Sequence, residues 1–181
     1  NVGRIQLGAA CLEAQRRVIS ISVKYANERI QFKKPISQFG AIKEKLARMA
    51  TTCYVGESAT YRAANDIDKK ISSLKKDGLD MQKAELKGAE EFAIECSILK
   101  VAISEDIQNT SDDGIQIFGG MGFSAETPME AAWRDSRIGR IYEGTNEINR
   151  MLSVGMFLKK GMKGELDLMG AVLKCKKEID D

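Results

Sequence analysis

Apolar residues recur every three or four positions along most of the chain, the spacing of one face of an α-helix. The first such run predicts a helix from about Arg4 to Gln31. It should end before Pro35, because proline cannot continue a helix. Lys33 and Lys34 would then complement the helix C-terminus, with Arg29 in the last turn.

The clearest run extends over residues 39–71 and predicts a long second helix with Ser37 as its N-cap. A third helix should begin near Asp80 and continue to about Gln108. Residues 92–103 of this helix are apolar almost all round, so we expect it to be the most buried. The residues 109–114, NTSDDG, form a dense turn signal and should end it.

Two further helix starts follow the third helix. Thr127 precedes Pro128, and Glu130 stands three residues after the threonine, which is a typical N-terminal signature. Thr145 gives the second start signal, before a helix over residues 146–157. We expect one more amphipathic helix after the glycine at position 164.

These elements predict an all-α protein, an up-and-down four-helix bundle with an extra short C-terminal helix. The bundle would take up residues 1–160, and residues 161–181 would start a helical extension. A chain of 181 residues is long enough to bury a substantial core. Because it opens inside a helical pattern without a methionine, we interpret it as a piece of a larger protein.

The composition excludes several classes of function. The 28 basic and 26 acidic residues nearly balance, which argues against a dedicated nucleic-acid partner. Histidine is absent, so this chain holds no Ser-His-Asp or Cys-His centre. No apolar run predicts a transmembrane segment. The four cysteines form no CxxC pair, so we expect no metal site and no disulfide framework, only small core residues: Cys11, Cys53, Cys96 and Cys175.

Candidate chemistry is concentrated between residues 115 and 150. Gly119, Gly120 and their neighbours in GGMG let the backbone approach another body closely. Glu143 stands between Tyr142 and Gly144. A carboxylate in such a place can lose hydration and act as a base, and the glycine leaves local N–H groups open to a ligand oxygen. The alternative is a solvated glutamate in a surface turn.

The order of motifs gives this stretch a family resemblance. QIFGGMGF, PME, WRD and IYEGTNEINR resemble the C-terminal domain of flavin-dependent acyl-CoA dehydrogenases, and YANERIQFKKPISQFGAIKEKLARMA at residues 25–50 resembles a second signature of that domain. Gly40 and the EKLARM segment look most like the very-long-chain branch. Two positions depart from the family pattern, Lys33 where a glycine is usual and Ala131 where an arginine is usual.

The resemblance implies α,β-desaturation of a fatty acyl-CoA thioester with FAD as cofactor. Glu143 would be the base that removes the α-proton, Tyr142 and Gly144 would border the thioester, and Arg4 would lie near bound CoA. The remaining implied roles concern FAD: Arg29 on the pyrophosphate of a neighbouring subunit's FAD with Phe32 close by, Gln116, Ile117, Phe118, Gly119 and Gly120 along the adenine half of that same cofactor, and Thr145 and Glu147 near the flavin of their own subunit.

The implied partners are an electron-transfer flavoprotein as electron acceptor and further copies of the chain, in a homodimer or homotetramer. The implied location is the cytoplasm of a bacterium or the mitochondrial matrix of a eukaryote. Two alternatives remain open. One is a relative with the same fold and altered chemistry, such as an acyl-CoA oxidase or a non-catalytic assembly partner. The other is a plain helical interaction module.

Overall fold

A computed structural model describes residues 2–180 as α-helices joined by turns and one small hairpin. The elements are α1 (Val2–Glu28), β1 (Ile30–Gln31), β2 (Lys34–Pro35), a 3-10 turn (Ile36–Gln38), α2 (Gly40–Lys76), α3 (Met81–Glu91), α4 (Ala93–Phe118), α5 (Gly120–Phe123), α6 (Pro128–Ile138), α7 (Asn146–Met162) and α8 (Leu168–Asp180). The predicted all-α class is confirmed.

The long helices α1 and α4 lie side by side and run in the same direction. Arg4 near the start of α1 donates to Ser97 near the start of α4, and Gln15 in mid-helix donates to Thr110. At the far ends, Tyr25 stacks on Phe118 with ring centroids 3.9 Å apart.

The other two long helices run against this pair, which gives the predicted up-and-down arrangement. In α2, Thr52 accepts a hydrogen bond from Gln15, and Gly56, one turn later, lies against Leu12, which is one turn earlier in α1. α2 is therefore antiparallel to α1. At the start of α7, Asn146 contacts Ser104 of α4, and near its end Lys160 contacts Glu91, just before α4 begins. α7 is therefore antiparallel to α4.

α4 is the central helix, and the prediction that the third helix is the most buried is confirmed for this part of it. It contacts α1, α2, α6 and α7, and its buried side chains form much of the core with Leu12, Val18 and Met49. Within residues 92–103 the exposed side chains are those of Glu95, Ile98 and Ala102.

The predicted end of the first helix is wrong by three residues. α1 ends at Glu28, and the chain then forms an antiparallel pairing of residues 30–31 with residues 34–35. Phe32 and Lys33, at the tip, have φ of 48° and 64°, values that a helix cannot contain. Lys33 and Lys34 therefore belong to a hairpin and do not complement a helix end. Arg29 follows the last turn, with its N–H bonded to the Tyr25 carbonyl.

Two other boundaries differ from the sequence expectation. Ser37 lies inside the 3-10 turn and does not cap α2, whose N-cap is Phe39 without a side-chain hydrogen bond. The third predicted helix is broken at Phe92, which has φ −99° and ψ 28°, so that α3 and α4 are separate helices.

The turn expected at residues 109–114 is absent, because these residues lie inside α4. Their polar side chains have partners on other helices instead of on the local backbone. Asp113 accepts hydrogen bonds from Lys45 and Arg48, with the Arg48 contact at 2.7 Å. Gly114 leaves room for the Met129 sulfur, which would lie 2.8 Å from a Cβ. Tertiary contacts thus outweigh the poor helix propensity of this segment.

The helix starts at Asp80 and Thr145 are confirmed, because each side chain accepts from the backbone N–H three residues later. Thr127 does occupy the N-cap position of α6, but its hydroxyl donates to the Met121 carbonyl. Glu130 pairs with an arginine one turn on, at 2.8 Å, so the expected reciprocal cap does not form.

The predicted C-terminal helix is present as α8, and no side chain of it is buried. Cys175 lies on this helix and is exposed, so the expectation of four core cysteines is wrong for it, although the other three are buried. Among residues 2–180, no helix is both long enough and apolar enough to cross a membrane.

Candidate active site

Glu143 lies in the loop that joins α6 to α7. Its φ is 57° and that of Gly144 is 84°, so two successive residues are left-handed. This conformation costs glycine little, but it costs a residue with a Cβ on the order of 1 kcal/mol. A strained glutamate marks a position that the surrounding structure holds for a reason.

Two buried side chains, one on α4 and one on α7, hold this loop through hydrogen bonds. The Asn149 amide donates to the Gly144 carbonyl at 2.7 Å and to the Glu143 carbonyl at 3.3 Å. The Lys100 ammonium donates to the same Gly144 carbonyl at 2.8 Å and to Asn146 Oδ1 at 2.7 Å. The strain of the loop is therefore offset by hydrogen bonds to its carbonyl groups.

The carboxylate of Glu143 lies against the first turn of α1. A Cβ built on Gly3 would be 2.7 Å from the carboxyl carbon and from both oxygens. Only a glycine leaves space for the carboxylate there. Within residues 2–180, the backbone N–H groups of Glu143 and Gly144 have no hydrogen-bond acceptor. The loop thus presents a carboxylate together with two open N–H donors.

Four other residues singled out in the sequence surround this loop. Tyr142 is partly exposed, and burial raises the pKa of its hydroxyl, with Cys11 and Glu143 adding to the effect. Arg4 follows Gly3 and donates to Ser97 at 3.3 Å. Thr145 caps α7. The pKa of Glu147 is lowered chiefly by its own backbone N–H and by the Thr145 hydroxyl.

An apolar groove opens beside Tyr142. Its volume is about 480 Å³, and α1 and α6 supply most of its walls. Leu7, Cys11 and Val18 line it from α1, and Met129 lines it from α6. The groove can hold an extended aliphatic group with one end near the Glu143 loop.

A second, charged groove of about 600 Å³ lies between α3 and α7 and includes Arg4. Six of the residues along it are basic and three are acidic, so it favours an anion. These residues are Arg4, Lys70, Lys87, Lys159, Lys160 and Lys163, with Glu90, Glu91 and Glu165. Arg4 is the link between this groove and Glu143.

Most of the remaining predicted residues come together at the other end of α1. An open depression of about 450 Å³ is lined by Tyr25, Arg29, Ile117, Phe118, Gly119 and Gly120. Gly119 has a φ of 63°, and a Cβ at either glycine would meet nothing within 4 Å. The surface is therefore open to close approach by a flat group. Gln116 is exposed and does not line the depression.

Phe32 lies at the tip of the hairpin and is 86% exposed. Its ring makes an edge contact with Phe39 at 6.0 Å. About 25 residues of α1 separate Arg29 from Gly3, which corresponds to roughly 37 Å along a helix. The Arg29 depression and the Glu143 loop are thus two distinct places on one chain, farther apart than an extended dinucleotide can reach.

Sequence reasoning missed Lys100, Asn146 and Asn149, which support the loop from α4 and α7. One signal for Lys100 was present, since it is a lysine within an otherwise apolar stretch. Burial lowers the pKa of its amine. Nothing in the sequence distinguishes Asn146 and Asn149 from ordinary residues after a helix cap.

Comparisons with known proteins agree on one family. The family model for "Acyl-CoA dehydrogenase, C-terminal domain" matches residues 1–155. A probable acyl-CoA dehydrogenase of Bacillus subtilis is 43% identical over 99% of this chain and 30% of its own length. The mitochondrial very long-chain specific acyl-CoA dehydrogenase of Macaca fascicularis is 39% identical over 96% of this chain and 24% of its own.

A solved structure gives the same result for the fold. The crystal structure of an acyl-CoA dehydrogenase complexed with FAD from Bacillus anthracis has a TM-score of 0.95 and 46% identity, covering 100% of this chain and 31% of that one. The chain thus spans less than a third of the length of these relatives. Because the family model matches most of the chain, the protein belongs to the acyl-CoA dehydrogenase family and corresponds to its C-terminal domain.

Proposed function

We propose that this chain is the C-terminal domain of an FAD-dependent enzyme that desaturates fatty acyl-CoA thioesters, with Glu143 as the base that removes the α-proton. One observation carries the proposal. The Glu143 loop combines an accessible carboxylate with open N–H donors, and Lys100 and Asn149 hold it in a strained conformation.

The N–H groups address the main difficulty of the reaction. An α-carbon is a far weaker acid than a carboxylic acid, so a carboxylate base alone is poorly matched to it. The Glu143 N–H would donate to the thioester oxygen and stabilise the negative charge that develops there as the proton leaves. Tyr142 and Gly144 would border the thioester on either side of the base.

The apolar groove beside Tyr142 supports an acyl chain as the substrate group. Its walls, including Leu7 and Met129, would exclude water from the carbon next to the thioester. On the other side of Glu143, Arg4 leads to the charged groove between α3 and α7. A thioester of a phosphorylated carrier such as CoA suits this arrangement, with its acyl chain in one groove and its phosphates toward the other.

FAD is the proposed cofactor, and the depression at Arg29 fits one part of it. Gly119 and Gly120 leave open backbone for a flat ring, and a guanidinium is suited to the oxygens of a pyrophosphate. Gln116, Ile117 and Phe118 would border the adenine half, with Phe32 nearby. Thr145 and Glu147 would lie by the flavin. When bound, FAD supplies the acceptor for the hydride that leaves the β-carbon.

The distance between the two places supports a homodimer or homotetramer. One FAD cannot reach both Arg29 and Glu143 of the same chain, roughly 37 Å apart along α1. Each chain would therefore contact the adenine half of a partner's FAD through Arg29 and the flavin of its own through the Glu143 loop. Symmetric pairing gives each subunit both roles.

The proposed setting is fatty acid β-oxidation, in the cytoplasm of a bacterium or the mitochondrial matrix of a eukaryote. An electron-transfer flavoprotein is the proposed electron acceptor. An oxidase of the same fold would instead pass electrons to oxygen and release peroxide. Measuring peroxide during turnover of the full-length enzyme separates these two activities.

The decisive experiment replaces Glu143 by glutamine in the full-length enzyme. Glu143→Gln keeps the size and shape of the side chain, but its neutral carboxamide cannot accept the proton. We expect FAD content to be unchanged and the rate of flavin reduction by acyl-CoA to fall by several orders of magnitude. Reduction at nearly the original rate would place the base elsewhere and refute the assignment.

A further inference from the structure

Lys100 is fully buried in the centre of the bundle, at a place where an apolar residue would be expected. Lysine is rarely buried in this way unless its amine is paired, because removal from water is costly. The amine has no carboxylate within hydrogen-bonding distance in residues 2–180. Its acceptors are the Gly144 carbonyl at 2.8 Å and the side-chain oxygen of Asn146 at 2.7 Å.

The Gly144 carbonyl is the point where the supports of the loop converge. It accepts from Lys100 on α4 and from Asn149 on α7. Gly144 and Glu143 both have left-handed φ values, and such a pair persists only when surrounding contacts determine it. The Gly144 carbonyl is part of the peptide that follows Gly144, and Asn149 also donates to the Glu143 carbonyl in the peptide before it. Together these contacts fix the backbone on both sides of Gly144, and with it the direction in which the Glu143 side chain leaves the backbone.

Stability alone does not explain a lysine here. A methionine has a similar length and would fill the same space without the cost of burying an amine. Burial lowers the pKa of Lys100. An amine with or without its extra proton still donates two hydrogen bonds, so its two contacts to the loop and to Asn146 are available in either state.

We propose that Lys100 is a positioning residue for Glu143, which acts from inside the core by holding the Gly144 carbonyl. This inference rests on the proposed function of Glu143 and deepens it. Lys100 touches no substrate atom in this proposal. Its role is to keep the carboxylate over Gly3 and the open N–H groups in the arrangement that proton removal requires.

The test uses the full-length FAD-loaded enzyme with Lys100→Met. We expect FAD content and acyl-CoA affinity to stay within about threefold of the parent, while flavin reduction slows about 100-fold, the cost of a misplacement near 1 Å. Amide hydrogen exchange at Asn146 and Asn149, whose N–H groups bond to the Arg140 and Thr145 carbonyls, should become faster, because the loop opens more often. Val101→Ala, a buried change at the next position of α4, should alter neither readout.

A double variant shows whether Lys100 acts through Glu143. In a Glu143→Gln background, Lys100→Met should slow flavin reduction no further, since the group that it positions is already inactive. A further 100-fold loss in that background, or a rate within threefold of the parent for Lys100→Met alone, would overturn the proposal. If Glu143→Gln itself reduced flavin normally, the proposed base would be refuted instead.

A second pair of variants distinguishes a failure to fold from a loss of positioning. If Lys100→Met gives no FAD-loaded protein, Lys100→Gln and Lys100→Arg are measured in the same way. Both side chains keep an N–H donor, at a different distance from the backbone than the lysine amine. They should bind FAD and show rates between those of the parent and the Glu143→Gln enzyme. Loss of FAD-loaded protein in all three would make Lys100 a folding residue and would reject the proposal.

Discussion

The carboxylate of Glu143 occupies the place where a side chain of Gly3 would be. A Cβ at Gly3 would come within 2.7 Å of the carboxyl carbon and both oxygens, closer than carbon atoms approach in proteins. The Glu143 side chain can move more easily than the backbone of α1. A side chain at position 3 would therefore displace the proposed base without unfolding the helix.

Gly3→Ala should thus slow flavin reduction by about 10- to 100-fold in the full-length enzyme, with FAD content unchanged. The same change in a helix usually stabilises it, by up to about 1 kcal/mol. Gly155→Ala on α7 is the matched control, since a Cβ there meets nothing within 4 Å. It should raise stability and leave the rate unaltered. Equal rates for both variants would mean that the carboxylate is not held at Gly3 during catalysis.

The helices were predictable because their signals are local. Apolar periodicity located the four long helices, and the caps at Asp80 and Thr145 follow from residue type alone. Residues 109–114 show the limit of such reasoning. Their composition favours a turn, but Asp113 binds Lys45 and Arg48 more than sixty positions away along the chain. A local sequence window contains no information on such partners.

The candidate site was predictable only in part, for the same reason. The motif around Glu143 falls in a strained loop, and residues 117–120 do lie beside Arg29, while the roles predicted for these residues stay predictions. Two features of the site depend on contacts between residues that are distant in the sequence. One is the support of the Gly144 carbonyl by Lys100, and the other is the contact of Glu143 with Gly3, 140 positions earlier. Phe32 and Gln116 do not line the depression, and their roles also stay predictions.

The separation of Arg29 from Glu143 can be tested by mixing subunits. Arg29→Ala should weaken FAD retention, because it removes the only guanidinium along the described depression. Glu143→Gln should abolish proton removal. In a mixed dimer of the two single variants, one site would combine the intact Glu143 of one chain with the intact Arg29 of the other. Co-expression should then restore about one quarter of the parent activity.

The assay for this prediction is acyl-CoA oxidation without added FAD, on co-purified chains that carry different tags. Arg29→Lys should rescue FAD retention only partly, because a lysine lacks the planar fork. If both residues served the cofactor of their own chain, a mixed dimer would contain no intact site. Activity would then stay at the level of the single variants.

The charged groove between α3 and α7 makes a prediction about the carrier part of the substrate. Replacing Lys87 and Lys159 by glutamine removes two of its positive charges. The KM for acyl-CoA should rise roughly three- to tenfold and kcat should change little, since each exposed charge contributes up to about 1 kcal/mol. The KM for an acyl-pantetheine, which lacks the nucleotide phosphates, should not change.

Lys24 and Lys69 provide the control for this prediction. Both are exposed and lie outside the groove, so their paired replacement by glutamine changes the net charge by the same amount. An equal rise in KM for the control pair would indicate a general effect of net charge and would count against a phosphate site.

Asp106 on α4 predicts a dependence of stability on pH. Burial raises the pKa of its carboxyl from 3.8, and the neighbouring Glu105 adds to the shift. Between 3.8 and the raised pKa the folded state binds more protons than the unfolded state, so stability falls as pH rises through this range. Above it, Asp106 is a poorly solvated charge in the folded protein.

Asp106→Asn should therefore raise the thermal midpoint of residues 1–181 by a few degrees at pH 7, and the gain should vanish near pH 3. Asp112→Asn is the control, because Asp112 is exposed on the same helix. Thermal unfolding followed by circular dichroism at several pH values measures both. A gain for Asp106→Asn that did not depend on pH would exclude its charge as the cause.

The behaviour of the isolated chain provides a last prediction. Its core is complete enough for residues 1–181 to fold alone as a helical bundle. Several large apolar side chains on α7 are exposed, among them Met151, Leu158 and Met162. Such a surface is usually covered by another molecule, and symmetric pairing is the commonest way to cover it. We therefore expect the chain to self-associate.

The same chain should bind no FAD tightly and oxidise no acyl-CoA. Its depression at Arg29 and its loop at Glu143 are open surfaces, so each would supply only part of the contacts that a cofactor needs. An open site also leaves Glu143 in water, where a carboxylate is too weak a base for an α-proton. Light scattering combined with an absorbance scan measures both properties. A strict monomer at high concentration would contradict the association, and a stoichiometric flavin band would contradict the lack of binding.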